Sequence, residues 1–346
     1  MSLTRRIFFG AAASWFSRGL TILLGLILLP VLFRTLPKEE LGVWLLLGQT
    51  WATLGILDLG FGVTLTRRIA FARGKSGSNP ASPLSETTIK EIADLLATGV
   101  RIYRLLAVLS LILAFTLGAF YLRSLPLAEV AAASVWTTWA ILCVSFALTT
   151  WATPWACLLQ GVGYVGWDAV LTSFVAALTL VGQIAAALFG GGLISLATVA
   201  VVGALAQRFV FFAFARRKRP DLFRLKGSWQ PECFQSMKPL ALRAWLTAVG
   251  SSLILYTDQF VIASFEGASE LPAYRAAWVL VHNFTIVAVT FATASGVFVS
   301  HLWQEQNIHQ VHRLLLRNVR LGWLVMLGTA TVLLFAGEAL FDIWLG

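Results

Sequence analysis

Three arginines inside long apolar stretches are the residues of this chain whose chemistry stands out. Arg18 lies near the middle of the stretch 8–33, whereas Arg104 and Arg243 lie near the ends of later stretches. A cation at bilayer depth costs about 2.5–3.5 kcal/mol on insertion scales, so such residues are rarely there by accident. Guanidinium groups match the geometry of phosphate oxygens, which makes the three arginines candidates for binding an anionic ligand.

Each of these arginines also has a structural interpretation. An ion pair between Arg18 and Asp58 would explain both residues without any ligand. Long side chains near a helix end can snorkel to the membrane interface, which would explain Arg104 and Arg243. The same interpretation is available for Arg208, and both alternatives stay open on the sequence alone.

Among the carboxylates of the apolar stretches, Asp58 and Asp258 stand out, and each has two interpretations. Asp58 either pairs with Arg18 or caps the glycine-containing backbone that follows it. Asp258 is either a site for a coupling proton or sodium ion, or the partner of Arg275 at the start of the next stretch. The four arginines Arg18, Arg104, Arg208 and Arg243 outnumber these two carboxylates, so the embedded charge leans positive and favours an anionic ligand.

Two other motifs look like chemical sites, but their context argues against that chemistry. His309 and His312 have helical spacing, yet a metal site needs a third ligand, so we interpret them as part of a wet connector. The GxGxxG pattern at 161–166 lies between apolar helices instead of following a strand, which indicates a tight turn. The three cysteines lack disulfide or metal-ligand spacing. We therefore expect no metal site, no cofactor and no catalytic residue.

Nine long apolar stretches must position the embedded charges. The 346 residues are 58% hydrophobic and 12% charged, whereas a soluble domain has about 25% charged residues. Together with the mean hydropathy of +0.80, this composition excludes a soluble protein and predicts an all-α, polytopic membrane protein. A transmembrane helix needs about 20 residues. The predicted spans are 8–33, 41–66, 102–122, 131–159, 168–189, 193–215, 239–265, 272–299 and 319–342.

The distribution of Lys and Arg predicts the orientation of the spans. With the N-terminus in the cytoplasm, only Arg34, Lys38 and Arg123 lie in the outside connections, and the basic residues of all other connections lie inside. This asymmetry follows the positive-inside rule. It also explains the net charge of +10, so we reject nucleic acid as a partner.

A basic segment divides the predicted spans into two groups. Residues 216–238 carry two prolines and a cluster of four basic residues. We predict an N-terminal six-helix lobe at 1–215, a cytoplasmic linker at 216–238 and a partial C-terminal lobe of three helices at 239–346. Glu40-Leu41 and Glu270-Leu271 each follow a span at an offset of 230 residues, which is typical of repeated lobes. A second six-helix lobe would need three more helices, so we expect a truncated chain.

Three sequence segments resemble a known family. Residues 57–68 read LDLGFGVTLTRR, residues 159–163 read LQGVG, and residues 256–265 read YTDQFVIASF. In this order and spacing, they resemble the polysaccharide-transporter and O-antigen flippase branch of the multidrug/oligosaccharidyl-lipid/polysaccharide (MOP) exporter superfamily. The resemblance covers essentially the whole chain.

The resemblance implies a MATE-like bundle of two six-helix lobes that works by alternating access. The implied substrate is a polyprenyl-pyrophosphate-linked oligosaccharide, moved from the inner to the outer leaflet of the bacterial cytoplasmic membrane for lipopolysaccharide and O-antigen synthesis. Arg18 matches an arginine that faces the central cavity in the related lipid II flippases, so it is expected to bind the pyrophosphate with Arg104 and Arg243. Membrane lipids and polysaccharide polymerase machinery are the other implied partners.

Three alternatives remain for the function. A multidrug or cation antiporter of the same superfamily should have a carboxylate-rich site, which the positive embedded charge disfavours. A membrane enzyme such as an O-antigen polymerase or ligase should have a large outer loop, but the predicted outer loops are short. A non-transporting fragment is the third alternative, because of the missing helices.

Overall fold

A computed structural model describes residues 3–75, 83–124, 130–285 and 308–345. Within these ranges, it describes all side chains except those of residues 3–15, 18, 51–53 and 124. The described residues form helices joined by turns, without a strand, which confirms the predicted all-α class. The helices are α1 (Leu3–Thr35), α2 (Lys38–Leu54), α3 (Phe61–Gly74), α4 (Glu86–Ser124), α5 (Ala132–Val162), α6 (Val165–Leu188), α7 (Leu193–Lys218), α8 (Pro231–Phe265), α9 (271–285) and α10 (Ile308–Leu345).

Seven helices of the described residues are long and apolar enough to cross a membrane. In addition, α1 contains a shorter apolar run at Gly19–Thr35, and the predicted span 272–299 lies partly in residues 286–307, outside the described part. The count is therefore consistent with the nine predicted spans. Large apolar side chains such as Phe120 and Phe189 are 82% and 92% exposed, which is typical of helices that face lipid.

The second predicted span is not one continuous helix. We predicted a helix over 41–66, but α2 ends at Leu54 and a 3-10 turn occupies Gly55–Asp58 before α3 begins at Phe61. Leu59 and Gly60 between them have positive φ angles of 52° and 73°. A residue in the left-handed region cannot continue a right-handed helix, so the chain breaks there. Mean hydropathy does not detect this break because the segment stays apolar.

Two connections are shorter than predicted. Helix α4 begins at Glu86, well before the predicted start at 102, because its first turns are polar and fall outside the hydropathy pattern. The basic linker 216–238 is also partly ordered into helix. Helix α7 continues to Lys218, a 3-10 turn covers Pro220–Phe223, and α8 begins at Pro231, where proline is favoured in the first turn.

The chain forms two compact units, Met1–Leu271 and Pro272–Gly346. In the first unit, α5 packs along α7 and α4, and α1 packs along α6. One apolar cluster, which includes Leu65, Tyr103 and Phe211, joins α3, α4, α5 and α7 to the start of α8. A second cluster around Trp139 joins α2, α4, α5 and α7 to the end of α8. The division into lobes at 216–238 stays a prediction.

Candidate functional site

The break between α2 and α3 lies directly against α8. Gly60 precedes α3, and its φ of 73° is a conformation that side chains rarely adopt. A Cβ atom at this position would lie only 2.3 Å from the carbonyl oxygen of Ala241 in α8. Glycine is therefore needed at position 60 both for the turn and for the close approach of the two backbones.

Asp58 is held by two hydrogen bonds at this break. The buried hydroxyl of Tyr103 in α4 donates to Oδ1, and the amide of Gly62 in α3 donates to Oδ2 at 3.2 Å. A carboxylate at the first turn of a helix is stabilised by the unpaired amides and the helix dipole. Of the two interpretations of Asp58, the capping of the following backbone is the contact that the described residues make.

Arg104 follows Tyr103 on α4, and its side chain is exposed. Arg208 on α7 is fixed to α5. Its NH1 group donates to the carbonyl oxygen of Trp151 at 3.0 Å, and its guanidinium carbon lies 3.2 Å from the centre of that indole ring. Snorkelling alone therefore does not account for Arg208, because its guanidinium binds a neighbouring helix within the unit.

Arg243 is exposed on α8, two residues after Ala241 at the break. The ion pairs between described side chains involve Lys38 with Glu270, Lys75 with Glu91, Lys90 with Asp94, and Arg219 with Asp221. In the described part of the chain, Arg104, Arg208 and Arg243 form no ion pair with a carboxylate. These three arginines thus carry positive charge that no carboxylate of the described residues neutralises, within helices of membrane-spanning length.

Helix α8 packs tightly near its two ends and carries a polar face between them. Its buried residues are Met237, Ala241, Gln259 and Ala263, so residues 242–258 are at most partly buried. On this stretch, spacings of four, four and seven residues place four polar side chains on one face of the helix. They are Arg243, Thr247, Ser251 and Asp258.

A family model described as "Polysaccharide biosynthesis protein" matches residues 10–297. The chain belongs to this family. A multidrug resistance MATE transporter of the MOP superfamily in an inward-facing conformation has a similar structure, with a TM-score of 0.73 and 15% identity over 93% of this chain and 71% of that chain. An outward-facing MATE transporter of the same superfamily gives a TM-score of 0.66 and 16% identity over 97% and 73% of the chains.

A third similar structure is the MATE multidrug transporter DinF-BH in complex with R6G, with a TM-score of 0.63 and 12% identity over 98% of this chain and 75% of that chain. No curated protein matches in sequence. At these identities, the structures establish the fold alone. The MATE-like fold is thereby confirmed, and the family match confirms the sequence resemblance to proteins of polysaccharide export. The chain is a multi-pass membrane protein with the fold of MATE transporters.

The predicted roles of Arg18, Asp258 and Arg275 stay predictions. The backbone of Arg18 belongs to α1, whereas its side chain lies outside the described residues. The neighbouring Ser17 donates a hydrogen bond to the carbonyl oxygen of Ala169, which fixes this part of α1 on α6. Asp258 lies in the first unit and Arg275 in the second, where the Arg275 guanidinium is 4.2 Å from the centre of the Trp278 ring.

Two residues that organise the site were missed in the sequence. Tyr103 holds Asp58, and Trp151 holds Arg208. A tyrosine within a membrane-spanning helix is itself a signal, because its buried hydroxyl needs a hydrogen-bond partner. The carbonyl of Trp151 carried no such signal, since any residue at that position has one.

Proposed function

We propose that this polysaccharide biosynthesis protein is a flippase for polyprenyl-pyrophosphate-linked oligosaccharide. In this proposal, the substrate crosses the bacterial cytoplasmic membrane from the inner to the outer leaflet by alternating access, and the N-terminus is cytoplasmic. The family supports a role in polysaccharide biosynthesis, and the fold supports transport. The chemistry of the cargo has to be argued from the charges of the chain.

The observation that carries the proposal is the set of arginines without carboxylate partners. Asp58 is the nearest carboxylate in sequence to the break, but its oxygens already accept hydrogen bonds from Tyr103 and Gly62. It therefore has little capacity left to bind a cationic cargo. The exposed guanidinium of Arg104 forms no ion pair with a carboxylate among the described residues, so an anion bound there would neutralise its charge. A diphosphate carries such charge and suits the planar guanidinium fork.

The polar face of α8 supports the sugar part of the proposed substrate. Hydroxyl groups at Thr247 and Ser251 follow Arg243 along the exposed middle of the helix. An oligosaccharide offers hydroxyls that exchange hydrogen bonds with such groups. The diphosphate is bound by Arg18, Arg104 and Arg243, while the polyprenyl tail stays in lipid along exposed apolar side chains. Asp258 and Arg275 serve ion coupling or stabilise the structure.

A multidrug or cation antiporter is the second candidate, and the similar MATE transporters favour it. A cationic cargo would need a carboxylate within the spans that is free to bind it. Within the predicted spans of the first unit, the described Asp58 accepts two hydrogen bonds, Asp258 accepts one from the amide of Gln259 at 2.9 Å, and Asp168 accepts one from Nε2 of Gln160 at 2.8 Å. Glu338 and Asp342 lie near the end of α10. The charge distribution thus supports the anionic cargo better.

Deletion and complementation test the proposed function. In a host whose own flippase gene for a surface polysaccharide is deleted, the full chain should restore surface glycan and prevent accumulation of lipid-linked oligosaccharide on the inner face. A panel of hosts with different glycans is needed because the sugar is unknown. If the expressed chain restores glycan in none of them but exports cationic dyes, the antiporter is the better assignment.

A further inference from the structure

The connection between α7 and α8 lies along one face of α4. Alternate residues of this connection contact α4 at Lys90, Asp94 and Thr98, which are four positions apart and therefore lie on one face of the helix. Nζ of Lys90 donates to the carbonyl oxygen of Lys226 at 3.0 Å. Further along, Oγ1 of Thr98 accepts a hydrogen bond from the amide of Gln230 at 3.2 Å. We call residues 226–230 the strap.

Asp94 is the central anchor of the strap. Its Oδ1 accepts hydrogen bonds from the amide of Ser228 at 2.7 Å and from the hydroxyl of Ser228 at 3.1 Å. The same oxygen pairs with Nζ of Lys90 at 3.0 Å. Hydrogen bonds to a charged group are stronger than those between neutral groups, so this carboxylate contributes more than the other anchors. Two turns further along α4, the Arg101 guanidinium lies 5.1 Å from the centre of the Trp229 ring.

Gly227 shows that the strap is in backbone contact with α4. A Cβ atom at this position would lie 1.9 Å from the carbonyl oxygen of Ala93 and 2.9 Å from the amide nitrogen of Asp94. Both atoms belong to the helix backbone and cannot rotate away. Any side chain at position 227 therefore has to lift the strap from α4, which makes a glycine substitution a direct test of docking.

The contacts continue from the strap into the first turns of α8. Arg68 on α3 donates through NH2 to the carbonyl oxygen of Ser236 at 3.1 Å, and Met237 is fully buried. The carbonyl of Ala241 then lies against Gly60. Arg243 follows two residues later. The strap and these contacts thus hold the beginning of α8 on α3 and α4 up to the position of Arg243.

We propose that the strap and its anchors Asp94 and Gly227 are positioning elements for transport. They hold the start of α8 so that Arg243 lies beside the break between α2 and α3. This role rests on the proposed function, in which Arg243 binds the diphosphate. None of the anchors contacts the substrate in this proposal. They act on the substrate through Arg243 alone.

A native cysteine reports whether the strap is docked. Cys233 is partly buried and lines an open cavity of about 1020 Å³ between α3, α4 and the start of α8, whereas Cys143 and Cys157 are buried. A maleimide applied to the purified full chain should therefore react mainly at Cys233. We expect Gly227→Ala to accelerate this labelling about tenfold, because lifting the strap breaks the charge-assisted hydrogen bonds from Ser228 to Asp94, whereas asparagine at position 94 keeps an acceptor oxygen. Asp94→Asn should accelerate it less.

Two controls accompany the labelling. Gly322→Ala on α10 is matched in chemistry, because a Cβ atom at position 322 meets no atom within 4 Å, and should leave the rate unchanged. Cys233→Ala should abolish the fast labelling. Unchanged labelling in Gly227→Ala would show that the strap does not dock on α4 and would overturn the inference, as long as the melting temperature shows a folded protein.

Transport is the second readout, in the complemented host described above. At equal protein level, Gly227→Ala and Asp94→Asn should weaken the apparent affinity for lipid-linked oligosaccharide severalfold, and Gly322→Ala should not. Faster labelling with unchanged transport would overturn the positioning role. If the wild-type chain transports nothing, the proposed function fails together with the positioning role, while the labelling rates still decide whether the strap is docked.

Discussion

The Tyr103 hydroxyl donates a hydrogen bond to Oδ1 of Asp58 and thereby joins α4 to the break between α2 and α3. Tyr103 is fully buried, so its hydroxyl has no access to water. The second carboxylate oxygen accepts a hydrogen bond from the amide of Gly62. The side chain of Tyr103 thus stabilises the break from a neighbouring helix, so a substitution at Tyr103 tests this contact specifically.

Tyr103→Phe should destabilise the protein by about 1–3 kcal/mol, because one oxygen of Asp58 loses its donor while the packing of the ring is kept. The melting temperature in detergent measures this effect. Asp58→Asn is the matched variant, since it keeps the size of the side chain and removes the charge. If the two effects add fully in the double variant, Tyr103 and Asp58 are not coupled and the proposed arrangement is wrong.

Gly60→Ala should be more destabilising than alanine at a neighbouring glycine. The positive φ at Gly60 costs about 1–2 kcal/mol for a residue with a Cβ atom, and the contact with Ala241 adds strain. At Gly55, a Cβ atom meets nothing within 4 Å, so alanine should be tolerated there. Thermal unfolding of both variants in detergent checks the difference. Equal melting temperatures would contradict the close approach of α8.

The Arg219–Asp221 pair after α7 makes a pH-dependent contribution to stability. Burial raises the pKa of Asp221, but hydrogen bonds from Arg219 and the backbone outweigh it and hold the pKa below the ordinary value of 3.8. A depressed pKa stabilises the folded state above the ordinary pKa, and this contribution is lost as the pH falls through the depressed value. Asp221→Asn should therefore lower the melting temperature at neutral pH, with a smaller difference below pH 3.8.

A constant difference in melting temperature across that range would mean that the charge of Asp221 contributes nothing. Asp342→Asn at the end of α10 is a control for the general effect of removing one carboxylate. Asp342 is not a member of the ion pairs that join described side chains. This substitution should shift the melting temperature little at either pH.

Hydropathy predicted most of the fold, because the helices are apolar over lengths that match the thickness of a bilayer. It could not predict the break at Leu59 and Gly60, since a positive φ leaves no trace in hydropathy. It also missed the polar first turns of α4, which lie before its apolar part. Embedded arginines were visible by residue type alone.

The partners of these charges were not visible in the sequence, because they depend on contacts between distant helices. Trp151 contributes its carbonyl to Arg208 across 57 positions, and Tyr103 reaches Asp58 across 45 positions. The strap on α4 is of the same kind, since Ser228 and Asp94 are 134 positions apart. Pattern reasoning identifies the charged residue, and only the packing of helices identifies what satisfies it.

Replacement of the candidate ligands tests the anionic site. Arg18→Ala, Arg104→Ala and Arg243→Ala should each lower transport of lipid-linked oligosaccharide about tenfold or more, because each removes a charge-assisted contact to phosphate. Surface glycan at equal protein level measures the effect. Arg123→Ala is the control, since Arg123 is exposed at the end of α4 and lies 6.0 Å from the centre of the Trp136 ring.

Lysine variants separate ligand binding from snorkelling at Arg104 and Arg243. A snorkelling side chain needs only length and charge, so lysine would restore full transport. A diphosphate site uses the planar fork of the guanidinium group, which lysine lacks, so Arg104→Lys and Arg243→Lys should restore transport only in part. Full activity of both lysine variants would therefore contradict bidentate binding, even if the alanine variants are inactive. Full activity of both alanine variants would remove these two arginines from the site.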